Sequence, residues 1–136
     1  MPETFHAQIL TPDGKLFDGQ VHAVQVPGVN GSFEVKLNHA PIISTLEIGR
    51  VRVTTKNSDI DYFAVSGGFV EMNNNKMTLL AEAAERVDDI DVARAERAKN
   101  RALEELMKRK QDKKEIILAL KRAENRLKLK EEKPGN

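Results

Sequence analysis

Aromatic residues are confined to the first part of this 136-residue chain, and turn-forming Gly and Pro are missing from nearly all of the second. The aromatic residues, Phe5, Phe17, Phe33, Tyr62, Phe63 and Phe69, all lie in the first part, and no Gly or Pro occurs between Glu85 and Lys133. Gly and Pro punctuate strands and turns but interrupt helices, so a chain divided this way has to change its structural period at the break. Charge changes there too. Residues 1–84 hold 6 of the 22 Lys/Arg and 9 of the 21 Asp/Glu, and residues 85–136 hold 16 and 12, so a net −3 is followed by +4. The length suits one compact domain plus an appendage, not two full domains. The expected division is 1–84 and 85–136.

The bulk composition excludes several classes. Hydrophobic content of 40% beside 32% charged residues is ordinary for a soluble protein. Apolar runs such as Ile116 to Leu120 are far too short to span a bilayer, so no direct membrane insertion is expected. Met1-Pro2-Glu3-Thr4-Phe5 resembles neither a signal nor a transit peptide, which points to cytoplasmic residence. With no Cys there are no disulfides, thiol nucleophiles or thiolate metal sites.

The first part reads as short strands with tight turns. Thr11-Pro12-Asp13-Gly14 and Pro27-Gly28-Val29-Asn30-Gly31 are turn clusters, and Val21 to Val26 between them is β-branched and partly alternating. Val51, Val53 and Thr55 alternate with Arg50, Arg52 and Thr54, which sends one face inward. Tyr62 to Val65 and Phe69 to Met72 flank Ser66-Gly67-Gly68, and Asn73-Asn74-Asn75-Lys76 leads into Met77 to Ala81. This pattern predicts an antiparallel sandwich or barrel of roughly 85 residues.

The second part reads as helix. Asp88 or Asp89 is the expected N-cap, with helix one from about Ile90 to about Lys108. Asp91, Ala95, Ala98, Ala102 and Leu106 share one narrow face, and Ile116, Leu120, Ala123 and Leu127 repeat the spacing. Asp112 followed by Glu115 resembles a capping box, so helix two is expected to start near Asp112. The charged linker Lys108 to Lys114 interrupts the seam and favours an antiparallel hairpin, yet it holds no Gly or Pro and could itself be helical. The same residues are therefore compatible with a folded-back and an extended form.

Chemistry has no visible home. Phosphate-binding loops, dinucleotide fingerprints, nucleophile elbows and zinc spacings are all missing. His6, His22 and His39 stand far apart without paired ligands, so no metal is assigned. Nucleic acid is not an expected partner, because the basic tail carries 12 acidic residues and no aromatic to stack on a base.

Four stretches then carry a family resemblance: Thr11-Pro12-Asp13-Gly14 through Phe17-Asp18-Gly19, Val26-Pro27-Gly28 to Gly31-Ser32-Phe33, His39-Ala40-Pro41-Ile42, and Ser66-Gly67-Gly68-Phe69-Val70-Glu71 followed by Leu79-Leu80-Ala81-Glu82. In order and spacing they resemble the epsilon subunit of bacterial F-type ATP synthases. Asp89-Ile90-Asp91-Val92-Ala93-Arg94-Ala95 and Arg122-Ala123-Glu124-Asn125-Arg126-Leu127 extend the resemblance over nearly the whole chain. It implies a sandwich of about ten strands followed by an antiparallel two-helix hairpin. It also implies a non-catalytic rotor subunit on the cytoplasmic face of the cell membrane, with the gamma subunit and the c-ring as partners. The helices would inhibit ATP hydrolysis beside the alpha and beta subunits. No cofactor is required, and ATP would be a regulatory ligand. Relatives commonly read Gly-Glu-Phe-Gly-Val-Leu-Pro-Gly-His-Ala-Pro where this chain reads Gly31-Ser32-Phe33-Glu34-Val35-Lys36-Leu37-Asn38-His39-Ala40-Pro41, which makes Ser32, Glu34 and His39 the candidate docking loop.

Two further sets of residues complete the expectation. At about 100° per residue, Lys114, Lys121 and Lys128 line one stripe opposite the apolar seam. The stripe is either a solvated face or, in an extended helix, a contact with acidic segments of beta. If the helices fold back about a turn near Gln111, Arg94 lies near Arg126 and Ala98 near Arg122, and converging guanidinium groups would welcome a phosphate-bearing anion. Ile90-Asp91-x-x-Arg94-Ala95 with Arg122, Arg126 and Glu85 resembles the nucleotide motif of ATP-binding epsilon subunits. Two other readings stay open: a stand-alone ATP-sensing module, and a generic helical interaction scaffold.

Overall fold

The computed structural model describes residues 3–108 and 113–132. Seven strands come first: β1 Phe5–Thr11, β2 Gly14–Gly28, β3 Gly31–Lys36, β4 Ile42–Thr55, β5 Ile60–Asn73, β6 Lys76–Ala81 and β7 Ala84–Arg86. A 3-10 turn, Val87–Asp89, leads to α1 Val92–Lys108 and α2 Lys114–Glu132. The chain divides into two compact units, Met1–Arg86 and Val87–Asn136.

The strand order is β1-β6-β5-β4-β2-β3, and β1 also pairs with β2, so the sheet closes on itself. A β-sandwich or barrel followed by two helices is thus the architecture. The strand count is seven among the described residues because β2, β4 and β5 run 15, 14 and 14 residues without a break. Each serves more than one neighbour: the first half of β2 pairs with β1 and the second half with β3 and β4. The pairings are antiparallel except β1 with β6, which run parallel. β7 pairs with β5 through Ala64↔Glu85, so the sheet continues two residues past the expected boundary.

Alternation in these strands fills the interior with Phe5, Ile9, Val51, Val53, Phe63, Val70, Met72, Met77 and Leu79, all at most 2% exposed. Phe17 meets Phe63 edge-on, with ring centroids 6.2 Å apart. Each large side chain removed from water contributes roughly 1.5–3 kcal/mol, which is why the aromatic-rich part supplies a core of its own.

In the second unit, α1 begins at Val92 rather than about Ile90. Asp91 is its N-cap, accepting the Arg94 N–H on Oδ1 at 3.0 Å. Asp88 and Asp89 lie instead in the preceding 3-10 turn. A cap carboxylate has to reach the free N–H three residues on, and of these acids only Asp91 stands directly ahead of the first helical turn. α2 starts at Lys114. The proposed cap Asp112 and the turn near Gln111 lie outside the described residues. The helices run antiparallel, because Lys130 in the last turn of α2 reaches back to Val87 and Asp88, ahead of α1. Ala95, Ala102 and Ala123 are buried, and Ala98, Leu106, Ile116, Leu120 and Leu127 are half-buried, on the faces that the spacing selects.

Candidate functional site

In the first unit, the candidate docking residues lie on β3 and the turn that follows it. Ser32 and Glu34 point outward while Phe33 and Val35 point inward, as alternation requires. Ser32 pairs with Pro27 and Glu34 with Gln25, so both sit on regular extended backbone. Lys36 continues that outward face and its Nζ lies 3.4 Å from Glu34 Oε1. His39 follows in a tight turn in which its N–H donates to the Lys36 carbonyl at 3.1 Å and its Nδ1 lies 2.7 Å from the Ala40 carbonyl oxygen. The turn is fixed from outside. Asn38, in left-handed backbone at φ 66, donates its N–H to Asn75 Oδ1 at 2.7 Å, and Asn75 Nδ2 returns a bond to Asn38 Oδ1 at 3.1 Å. This clasp joins the His39 turn to the β5–β6 hairpin.

Sequence reasoning missed that clasp and one apolar surface. Thr45, Phe69, Leu80 and Leu10 are successive cross-strand partners and so share one outer face of β4, β5, β6 and β1. Phe69 and Leu80 are 44% and 38% exposed, and nearby Ile43 is 71% exposed. A Phe-Val-Glu-Met alternation with an apolar residue on both faces was the available signal. On the neighbouring β1–β2 ribbon, Asp18 accepts from Lys15 Nζ at 2.7 Å, contacts the His6 ring, and accepts from Gln8 Nε2 at 3.3 Å. The Lys15 ammonium first, and the His6 ring after it, hold the Asp18 carboxyl well below the usual carboxylate range. His22 lies with its ring nitrogens 3.2 and 3.0 Å from the carbonyl oxygens of Glu3 and Lys56. The histidines are thus each engaged by protein groups.

In the second unit the residues proposed for a nucleotide fall into different environments. Arg94 on α1 is exposed, and Arg122 and Arg126 on α2 are half-buried. Asp91 is exposed and is committed to capping α1. Ile90 and Ala95 are only 5% and 3% exposed. Glu85 belongs to β7, in the first unit. Lys114, Lys121 and Lys128 are all exposed along α2. Leu129, outside the expected seam, is buried at 6%.

Comparison with known families covers both units. The ATP synthase Delta/Epsilon chain beta-sandwich domain matches residues 4–87, and the long alpha-helix domain of the same chain matches residues 88–131. The chain belongs to the ATP synthase delta/epsilon-chain family. Its similarity to individual members agrees. It is 46% identical over 127 residues to the ATP synthase epsilon chain of Halalkalibacterium halodurans, covering 91% of this chain and 95% of that one. It is 41% identical over 128 residues to the epsilon chain of Desulfitobacterium hafniense, covering 93% and 96%. Among solved structures, a chain of the Euglena gracilis mitochondrial ATP synthase superposes with a TM-score of 0.79 at 19% identity over 92% of this chain and 80% of that chain, which shows a shared fold. Membership of this family makes the chain a non-catalytic subunit. Among the described residues no helix is long and apolar enough to cross a membrane.

Proposed function

We propose that the chain is a central-stalk rotor subunit that couples the gamma subunit to the c-ring on the cytoplasmic face of the membrane, and that its helices restrain ATP hydrolysis. The observation that carries this reading is the match of both family domains in sequence order over residues 4–131. The first unit suits docking. Its closed sheet and large-residue core make it rigid, and it presents Ser32, Glu34 and the clasped His39 turn at one place and the Phe69–Leu80 row at another. Co-purification of the tagged chain with gamma and c subunits tests the docking, and its loss in an otherwise folded protein defeats it.

The helices supply the restraint. Their fully buried seam residues are mostly alanine, and the larger ones, Leu106, Ile116, Leu120 and Leu127, are only half-buried, so separating α1 from α2 exposes less apolar surface than opening a full core, which supports an accessible extended form. Once extended, the exposed Lys114, Lys121 and Lys128 would meet acidic segments of beta, and Coulomb attraction would hold the blocked state. Deleting residues 88–136 is expected to raise hydrolysis, and replacing the three lysines with Gln to give part of that rise. Unchanged hydrolysis in both removes this role.

ATP is the proposed ligand of the folded-back helices. Arg122 and Arg126 sit one turn apart on α2 and Arg94 lies in the first turn of antiparallel α1, which suits bidentate recognition of phosphate oxygens. Ile90 and Ala95 would support the site by packing. Calorimetric titration of the chain with ATP, beside Arg122→Ala and Arg126→Ala, is the measurement. Saturable heat lost in the variants supports the site; equal heat in all of them eliminates it.

A further inference from the structure

The lysines of α2 are not equivalent. Lys114, Lys121 and Lys128 are exposed, whereas Lys130 is half-buried. Two residues turn a helix by about 200°, so Lys130 leaves the solvated stripe and faces nearly the opposite way. Its Nζ donates to the carbonyl oxygens of Val87 at 3.2 Å and Asp88 at 2.9 Å, across 43 and 42 residues of chain. Both carbonyls belong to the 3-10 turn that precedes α1, and the Val87 carbonyl also accepts the Ile90 N–H at 3.2 Å.

The chemistry fits a clasp. Carbonyls of a helical turn carry partial negative charge at its C-terminal end, and an ammonium with three donors can satisfy two of them at once. Leu129 beside it is 6% exposed, so the last full turn of α2 carries a buried apolar residue next to the charged anchor. The position matters as much as the strength. The covalent connection between the helices lies after Lys108, at one end of the pair, whereas Lys130 binds at the other end, where antiparallel helices would otherwise fray and part.

We infer that Lys130 is a positioning residue that latches α2 onto the turn before α1, and so sets how often the folded-back helices open. The latch is made wholly within the second unit and needs neither nucleotide nor partner, so failure of ATP binding leaves it standing.

The test is amide hydrogen exchange on the full chain, without ATP, for wild type, Lys130→Met, Lys130→Arg and the stripe control Lys128→Met. Methionine keeps the apolar stem and removes the donors; arginine restores them. Charge-assisted hydrogen bonds at a half-exposed site predict roughly tenfold faster exchange in Lys130→Met at the start of α1 and the end of α2. Exchange in β4 and β5 should be unchanged, Lys130→Arg should recover most of the protection, and Lys128→Met should match wild type. Wild-type exchange in Lys130→Met, an equal acceleration in Lys128→Met, or a rise spread evenly into the sheet overturns the latch.

Discussion

Replacing Gly68 with Ala should be among the most damaging single changes in the first unit, although it adds one methyl group. Gly68 has φ +116, and a Cβ built on it stands 2.0 Å from the Leu80 carbonyl oxygen and 2.8 Å from the Ala81 Cα. Both obstacles are backbone of β6, so no side chain can rotate away. Holding an L-residue in that region of φ costs about 1–3 kcal/mol. Relieving the contact requires β5 and β6 to separate where Gly68 pairs with Ala81, which loses one or two ladder hydrogen bonds at about 1 kcal/mol each and loosens the core beneath. The expected loss is therefore about 2–5 kcal/mol, a large share of a typical domain stability of about 5–15 kcal/mol. Gly14 provides the control. Its φ is +124, but nothing lies within 4 Å of its added Cβ, so Gly14→Ala carries the conformational cost alone. The assay is urea unfolding followed by fluorescence of Tyr62, which is the only tyrosine in a chain without Trp and lies in β5, so the signal reports the sheet. Gly68→Ala within about 1 kcal/mol of wild type, or no worse than Gly14→Ala, would refute the assignment of the cost to β6 backbone.

Three further outcomes follow from the geometry. Asn75→Ala should remove both side-chain bonds to Asn38 and cost about 1–2 kcal/mol, with faster amide exchange at Asn38 and His39; unchanged exchange there would show that the turn holds itself. Because the Asp18 carboxyl titrates below its unfolded range, its contribution is present above about pH 4 and is lost as the pH falls through the lowered value, so Asp18→Asn should weaken the protein at neutral pH and match wild type in strong acid. A penalty independent of pH between 2 and 7 would contradict that. A fragment ending at Val87 should unfold cooperatively, whereas one ending at Ala84 should be about 1–2 kcal/mol less stable, since it loses Arg86, whose guanidinium lies 5.0 Å above the Phe63 ring and 3.3 Å from Asp61. Equal urea midpoints would make β7 dispensable.

The architecture was legible because its causes are local. The loss of aromatics, Gly and Pro from residues 85–133, the alternation through Val51 and Val53, and the spacing of Ala95, Ala102 and Ala123 are each visible within a single stretch of chain. What escaped depends on partners far along the sequence. Asn38 and Asn75 are 37 residues apart, Lys130 and Val87 are 43 apart, and neither pair has a periodicity to betray it. The helix start was misplaced among neighbouring acids, since Asp88, Asp89 and Asp91 are chemically equal and only the backbone path selects Asp91 as the cap. The family resemblance implied about ten strands, and Ser66-Gly67-Gly68 read as a break between two of them, but β5 passes straight through it. At Gly68 the glycine marks close approach of β6 backbone, not an end.

The two units differ in how firmly their interiors hold. The sheet buries Phe5, Phe63, Ile9, Leu79, Met72 and Met77, each fully or nearly so. The helices bury Ala95, Ala102, Ala123 and Leu129 and half-bury Leu106, Ile116, Leu120 and Leu127, while Leu103, Met107 and Ile117 remain 39%, 87% and 41% exposed. An alanine methyl brings about 0.8 kcal/mol on burial against about 1.5–3 kcal/mol for a large apolar side chain, so the helix seam is stabilised far less per residue than the core of the sheet. With most of its larger apolar groups only half-buried, the pair gains less on closing than the sheet does, so polar anchors weigh more in its balance. The Asp91 cap stabilises α1 whether or not α2 lies beside it, because its bond to Arg94 is local. Lys130 acts differently: its two bonds exist only while α2 is folded back, so of the two polar anchors it is the one that favours the folded-back form over the proposed open one. A sheet with a large-residue core, followed by a helix pair sealed by alanines and half-buried aliphatics, leaves that pair the easier of the two to open, which is the property the proposed movable arm needs.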